Sequence, residues 1–455
     1  MRRARAALAV TVAMLAVGAP SAAAITPPQV DPATPPPSGS AGPVGAMAQR
    51  TPCVSGTVIP GSDPAAVSPN QSALNLPEAW THSRGEGQTV AVLDTGVKPG
   101  PRLPDVEPGG DYVASGDGLT DCDGRGTLVA GLIAGQPGAD GFSGVAPAAR
   151  LLSIRVSSPR YAPRDLGEDP VVTRATLEAQ ALARAVVRAA DLGARVINIS
   201  AVTCVPAGKN LDQSGLGAAL RYAAVDKDAV IVAAAGDSEG GAAGGCGSNP
   251  LSDPALPSDP RNWAGVSTIS IPAWWQEYVL SVGSLGSDGR PSPFTMAGPW
   301  VGIAAPGENI TSVSNDDTGG LANGLPGAQD RIDPVRGTSY ATAYVSGVAA
   351  LVRSRFPDLT APQVIERLTG TAQSAARSPS NVVGAGRIDP VAALTWNVPA
   401  ATEIDPAAVK PVAAPPPPET RDPVPRVVAF AGVGILALVV LAVFVVSAKR
   451  KETSS

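Results

Sequence analysis

Residues 89–97, TVAVLDTGV, open on apolar and β-branched side chains that do not alternate with polar ones, then break at Asp94-Thr95-Gly96. A short apolar run bounded by turn formers reads as a strand buried on both faces, as in parallel sheets covered by helices. Taken alone, an aspartate just past such a strand is often only a turn former. Working outward, residues 151–156 (LLSIRV), 195–200 (RVINIS) and 229–235 (AVIVAAA) predict further buried strands. Residues 173–190 predict an Ala/Arg/Leu-rich helix stopped near Gly193, and residues 217–224 another helix. This strand–helix–strand rhythm sets the expected fold class as α/β, a parallel sheet with helices on both faces. In such folds catalytic side chains sit at the carboxyl ends of strands.

The two ends carry a different signal. Residues 1–24 pair a basic start with an apolar run from Ala6 to Val17 and finish in small residues, a secretory signal peptide cleaved after Ala24. That run is too short to cross about 30 Å of hydrocarbon. Residues 427–447 form an uncharged apolar stretch long enough to span a bilayer, followed by Lys449, Arg450 and Lys451. The positive-inside rule puts the tail, residues 448–455, in the cytoplasm, and it leaves the bulk of this single-pass chain outside the plasma membrane. Residues 25–50 and 400–426 are rich in proline and alanine and cannot bury a core. The second reads as a stiff linker; the first is either a trimmed leader or an arm that wraps around the domain. Residues 51–399 form one domain between them. Residues 157–171, 238–270 and 311–335 lack periodicity and are expected as surface insertions, serving as decoration or as partner-binding loops.

The net charge of -5 and the absence of basic clusters outside the termini argue against nucleic acid as a partner. Cys53, Cys122, Cys204 and Cys246 fall on the oxidising side, where an even count permits three pairings. No two have metal-ligand spacing and His82 is the only histidine, so no metal and no cofactor are expected.

Two further motifs carry chemistry. DCDGRGTLVAGLIAG (residues 121–135) is a glycine-flanked turn opening an apolar helix, and RGTSYATAYVSGVAALV (residues 336–352) places Ser339 at another helix start. There a hydroxyl would cap the first backbone N–H groups, and the helix amino end favours a developing anion. Each motif alone has a structural reading; D-T-G after a strand, D-x-x-G-x-G-T and G-T-S-x-A in this order are specific.

The chain resembles the subtilases. More narrowly it is similar to the mycosins, membrane-anchored subtilases of type VII secretion systems. The likeness rests on AVLDTGV (residues 91–97), GARVINIS (193–200), GTSYATAYVSGVAALVRSRFP (337–357), GAGRIDPVAALTW (384–396) and the membrane tail. It covers roughly residues 50–455. The resemblance implies a subtilisin-like sheet, catalytic positions at Asp94, Arg125 and Ser339, and an oxyanion position at Asp237. It also implies disulfides Cys53–Cys122 and Cys204–Cys246. The partners it implies are the membrane, subunits of a type VII secretion complex, and extended peptides in the substrate groove.

Two departures bear on activity. The family motif has histidine between its glycines, where this chain reads D-G-R-G-T with Arg125. A serine hydroxyl is a weak nucleophile until a base takes its proton, and a guanidinium has no free lone pair for that task. His82 lies in the polar segment before the strand and reads as a solvent-exposed surface residue. The second departure is Asp237 in AAAGD, where the family carries asparagine. A carboxylate repels the developing oxyanion that an amide would stabilise, and loss of one such donor costs about 3 kcal/mol. Arg125 is expected to pair with Asp94, with Asp237, or with both. The leading expectation is a degenerate protease with a structural, complex-stabilising role. Its rivals are an active serine endopeptidase processing secreted substrates and a peptide-binding module.

Overall fold

The computed structural model describes residues 25–209, 211–238, 246–252, 258–327, 329, 331–374 and 379–398. The expected signal peptide (residues 1–24), linker, apolar span 427–447 and tail lie outside the described residues. Among those described, no helix is long and apolar enough to cross a membrane.

Nine strands of the described chain form one sheet: β1 Thr89–Asp94, β2 Val106–Asp111, β3 Arg150–Arg155, β4 Val196–Ile199, β5 Val230–Ala234, β6 Val279–Leu285, β7 Val301–Pro306, β8 Gln373–Ser374 and β9 Gly386–Arg387. Their order is β8-β9-β7-β6-β5-β4-β1-β3-β2. Every neighbouring pair is parallel except β8 with β9. All six residues of β1 are buried, as its unalternating sequence predicts. Val90 and Val92 enter one apolar core while Ala91 and Leu93 enter the other, the period-two consequence of a strand covered on both faces. Helices α1 Arg125–Ala134, α4 Thr338–Arg355 and α5 Ala361–Gly370 fill the first layer; α2 Pro170–Asp191 and α3 Ser214–Arg221 fill the second. The expected strands and helices are present within a few residues of their predicted limits. Those left unpredicted include β2, whose sequence VEPGGD has low strand propensity and starts half exposed at the sheet edge.

The insertions are structural. Residues 311–335 fold into two small hairpins, Ser312–Val313 with Leu321–Ala322 and Gly324–Pro326 with Ile332–Pro334. Asn315 is buried there and works as a clamp. Its Oδ1 accepts the Gly56 N–H at 2.9 Å, while its Nδ2 donates to the carbonyls of Val54 at 3.0 Å and Asp121 at 2.9 Å. The expectation of surface decoration fails here because polar turn residues can saturate buried backbone groups as well as face water. In residues 157–171, strand Tyr161–Pro163 pairs antiparallel with Met47–Gln49 of the arm. Upstream, the arm lies along the domain: the Tyr112 hydroxyl donates to Gly39 O at 3.0 Å, and Gly42 N–H donates to Asp111 O at 3.1 Å. Disulfides join Cys53 to Cys122 and Cys204 to Cys246, with Cα atoms 4.5 Å and 5.4 Å apart.

Asn315→Ala leaves three backbone groups of two separate segments without a partner. It should lower the unfolding free energy by about 2–3 kcal/mol, measured by chemical denaturation. A loss within about 0.5 kcal/mol would show that the clamp is replaceable by solvent.

Candidate active site

Strand β1 is the point where the sheet reverses its order of assembly, with β3 and β2 on one side and β4 onward on the other. Crevices form beyond the carboxyl ends of strands at such a point, and here a cleft of about 560 Å³ opens there. Asp94 ends β1, Ser200 follows β4, and Asp237 follows β5. Because β1 stops at Asp94 while the chain beyond β3 and β4 runs on along the cleft as residues 156–159 and 200–203, a slot one strand wide is left open.

Two glycines bring the motifs together. A Cβ on Gly126 would lie 1.9 Å from Gly96 O, and one on Gly96, at φ +99°, would lie 2.1 Å from Thr120 O. The D-T-G turn and the start of α1 therefore touch backbone to backbone, which carries Arg125 over Asp94. Arg125 Nε lies 2.7 Å from Asp94 Oδ1, and its Nη2 donates to Ser157 Oγ at 3.1 Å. The Asp94 side chain is fully buried and that of Arg125 is 26% exposed. Burial alone would lower the arginine pKa, but the attraction and hydrogen bond of Asp94 outweigh it and hold the guanidinium above its ordinary range. Arg125 is thus held as a permanent cation.

Asp237 is held otherwise. Its Oδ1 accepts the Thr338 N–H at 2.9 Å at the start of α4, so among the described residues Arg125 makes its ion pair with Asp94 and not with both carboxylates. Burial pushes the Asp237 carboxyl up, against the opposing pull of the Thr338 bonds and the charges of Arg125 and Arg336. Ser339 is 7% exposed and lines the same cleft. Its hydroxyl does not cap α4 as expected: the cap position is Gly337, with no side-chain cap, and Ser339 Oγ donates to Ser200 O at 3.0 Å. Ser339 is the second residue of α4, past the cap position from which a side chain reaches the first free N–H groups, so its hydroxyl donates across to the end of β4 instead.

His82 is half-buried rather than exposed, ahead of the amino end of β1. Six strand residues at about 3.3 Å each separate it from Asp94, and it is absent from the cleft lining. Sequence reasoning missed Asp121. Its carboxylate accepts Thr95 Oγ1 at 2.8 Å, Thr127 Oγ1 at 2.7 Å and the N–H groups of Asp123, Gly124 and Thr127. The first aspartate of D-C-D-G-R-G-T thus knits the turn that presents Arg125. Both cysteines of the second disulfide line the cleft. Among the described residues no group of three or more His, Cys, Asp or Glu is placed to hold a metal ion.

A buried aspartate ending a central parallel strand, a glycine-bound helix start above it and a serine at the head of a long buried helix define a subtilase. The subtilase family matches residues 85–386. The chain is 60% identical over 457 residues to Mycosin-3 of Mycobacterium tuberculosis, with 99% of each covered. A solved structure of the MycP3 protease from the type VII (ESX-3) secretion system is 70% identical, with a TM-score of 0.79 over 82% of this chain and 100% of that one. A chain in the structure of an intact ESX-5 inner membrane complex is 46% identical, with a TM-score of 0.80 over 92% of this chain and 99% of that one. The chain belongs to the subtilase family, and within it to the mycosins.

Two outcomes follow from the site's electrostatics. Arg125→Ala strands a buried carboxylate and should cost about 3 kcal/mol of stability; adding Asp94→Asn should recover most of it, as a double-mutant cycle would measure. Burial, partly offset by hydrogen bonds from Thr127 and Thr95, pushes Asp121 up to about 6. A raised folded-state pKa means the native state binds the proton more tightly. The stability from this group is complete below the unfolded pKa near 3.8 and lost as pH rises through about 6. Unfolding free energies of the wild type and Asp121→Asn, compared from pH 4 to 7, should differ in slope over that window.

Proposed function

We propose that this chain is a non-proteolytic mycosin, a structural subunit of a type VII secretion complex at the outer face of the plasma membrane, anchored by residues 427–447. The observation that carries the reading is the 2.7 Å ion pair of Arg125 Nε with Asp94 Oδ1. The aspartate that would orient a catalytic base is committed to a cation that cannot accept a proton, and the chain's single histidine is remote. Loss of the base costs on the order of a thousandfold to a millionfold in rate. Asp237 at the oxyanion position adds about a hundredfold or more. Membership in a secretion complex is supported by the likeness to a chain of the ESX-5 inner membrane complex. The slot beyond Asp94 keeps a shape that accepts an extended peptide by strand addition, so the silent site retains a use in holding chain without cutting it.

A serine-directed fluorophosphonate probe tests the reading on the full-length chain. Wild type should label no more than Ser339→Ala, while Arg125→His combined with Asp237→Asn should label and cleave a peptide substrate. Ser339-dependent labelling of the wild type would overturn the non-proteolytic reading. Purification of the membrane complex followed by mass spectrometry tests the structural one, which fails if no secretion subunit accompanies the chain.

A further inference from the structure

A guanidinium can offer parallel N–H donors along its side edge, Nε with Nη2, and along its end-on edge, Nη1 with Nη2. In Arg125 the side edge is spent: Nε donates to Asp94 Oδ1 at 2.7 Å and Nη2 to Ser157 Oγ at 3.1 Å. Nη1 makes no hydrogen bond among the described residues and is not buried. The side chain is 26% exposed and lines the cleft, so the end-on edge is left for a ligand. Pinned by a buried anion and a serine of the wall, the fork is rigid before anything binds, which spares a ligand the entropy of ordering it.

The anions nearby are committed elsewhere. Glu178 holds Arg174 at 2.8 Å and accepts from the Thr203 hydroxyl. Asp237 is bound to the Thr338 N–H, and burial favours its neutral form. Arg125 opens α1 and Ser339 lies in the first turn of α4, so the amino ends of two helices add partial positive charge. Arg336 lines the cleft as well, and along the walls stand Val156, Ala162, Leu166, Val171 and Val202. A peptide running straight through the slot presents only neutral carbonyls to the Arg125 edge. One that ends there presents a carboxylate, whose paired oxygens match the parallel donors.

We propose that the cleft is a receptor for the free carboxyl terminus of an extended peptide, with Arg125 as the anion-binding residue and the apolar walls taking the residues upstream. The proposal deepens the silent-site reading and rests on it: chain ends are held here, not made here.

Fluorescence anisotropy on the full-length chain in detergent tests it. The probes are an amino-terminally labelled pentapeptide, Ala-Val-Ala-Val-Leu, as the free acid, its carboxamide, and a carboxamide with glutamate in the last place. The free acid should bind roughly tenfold tighter than the carboxamide, the difference between a charge-assisted pair and neutral hydrogen bonds. Arg125→Lys keeps a charge beside Asp94 but loses the fork, and it should cut that preference to about a third or less. Should Arg125→Lys not fold, Arg125→Gln combined with Asp94→Asn removes both charges and should abolish the preference. Equal binding of acid and carboxamide by the wild type, a preference undiminished in the variants, or no binding of the acid at about 1 mM would each overturn the proposal. A glutamate carboxamide that matches the free acid would overturn it too, moving the ligand from chain ends to acidic side chains. Mass spectrometry of the incubated peptides keeps the two readings apart. Ser339-dependent cleavage would sink the silent-site reading, whereas intact peptides bound without regard to their ends would sink the carboxylate site alone.

Discussion

A carboxylate buried at the end of the central strand must have its charge answered, and much of the site follows from how Asp94 is answered. Its Oδ1 takes the Thr95 N–H and the Arg125 Nε, both at 2.7 Å. A guanidinium fixed by a fully buried anion loses both its freedom and its acid–base chemistry. The nearby aspartates are then sorted by geometry. Asp121 gathers donors from the turn, Asp123 takes those of the cleft wall, and Asp237 takes the first N–H of α4. Each carboxylate has its own hydrogen-bond donors, while the charge of Arg125, in contact with Asp94, also acts on Asp123 and Asp237.

Around this centre the fold builds an open cleft. The strand order leaves the slot beyond β1, and α4 delivers Ser339 to its floor. The two disulfides sit on opposite sides of the cleft, one beside the Arg125 turn and the other in the wall after β4. Such staples restrict the excursions of loops that lack a core of their own. The reinforcement falls on the cleft rather than on the sheet, whose two apolar layers need none.

Legibility in the sequence followed unbroken apolar runs rather than burial. Strands β1, β3, β4 and β5 are such runs and were readable; β6 and β7 are buried but interrupted by serine, glycine or proline (VLSVGSL, VGIAAP) and were missed, as were β2 at the edge and β8 and β9 with two residues each. The motif residues Arg125, Asp237 and Ser339 line one cleft, and Asp94 lies buried against Arg125. Their hydrogen bonds were not legible, because donor and acceptor choices depend on distances of a few tenths of an ångström between segments far apart in the chain. Asn315 and Asp121 were invisible for the same reason: polar residues in turns look alike whether they face water or close a buried gap.

By itself the sequence determined the class of fold, through the unalternating apolar strands, and the presence of an arginine, Arg125, between the motif glycines of a chain with one histidine. Only the tertiary structure decided that Arg125 pairs with Asp94 and leaves Asp237 to α4. It also decided that Ser339 turns to Ser200 and that the proline-rich arm packs on the domain, pairing with a segment that lines the cleft. The reason is physical. Periodicity and residue type are local properties that the chain carries with it, whereas the partner of a buried charge is chosen by which atoms the packed sheet brings within 3 Å.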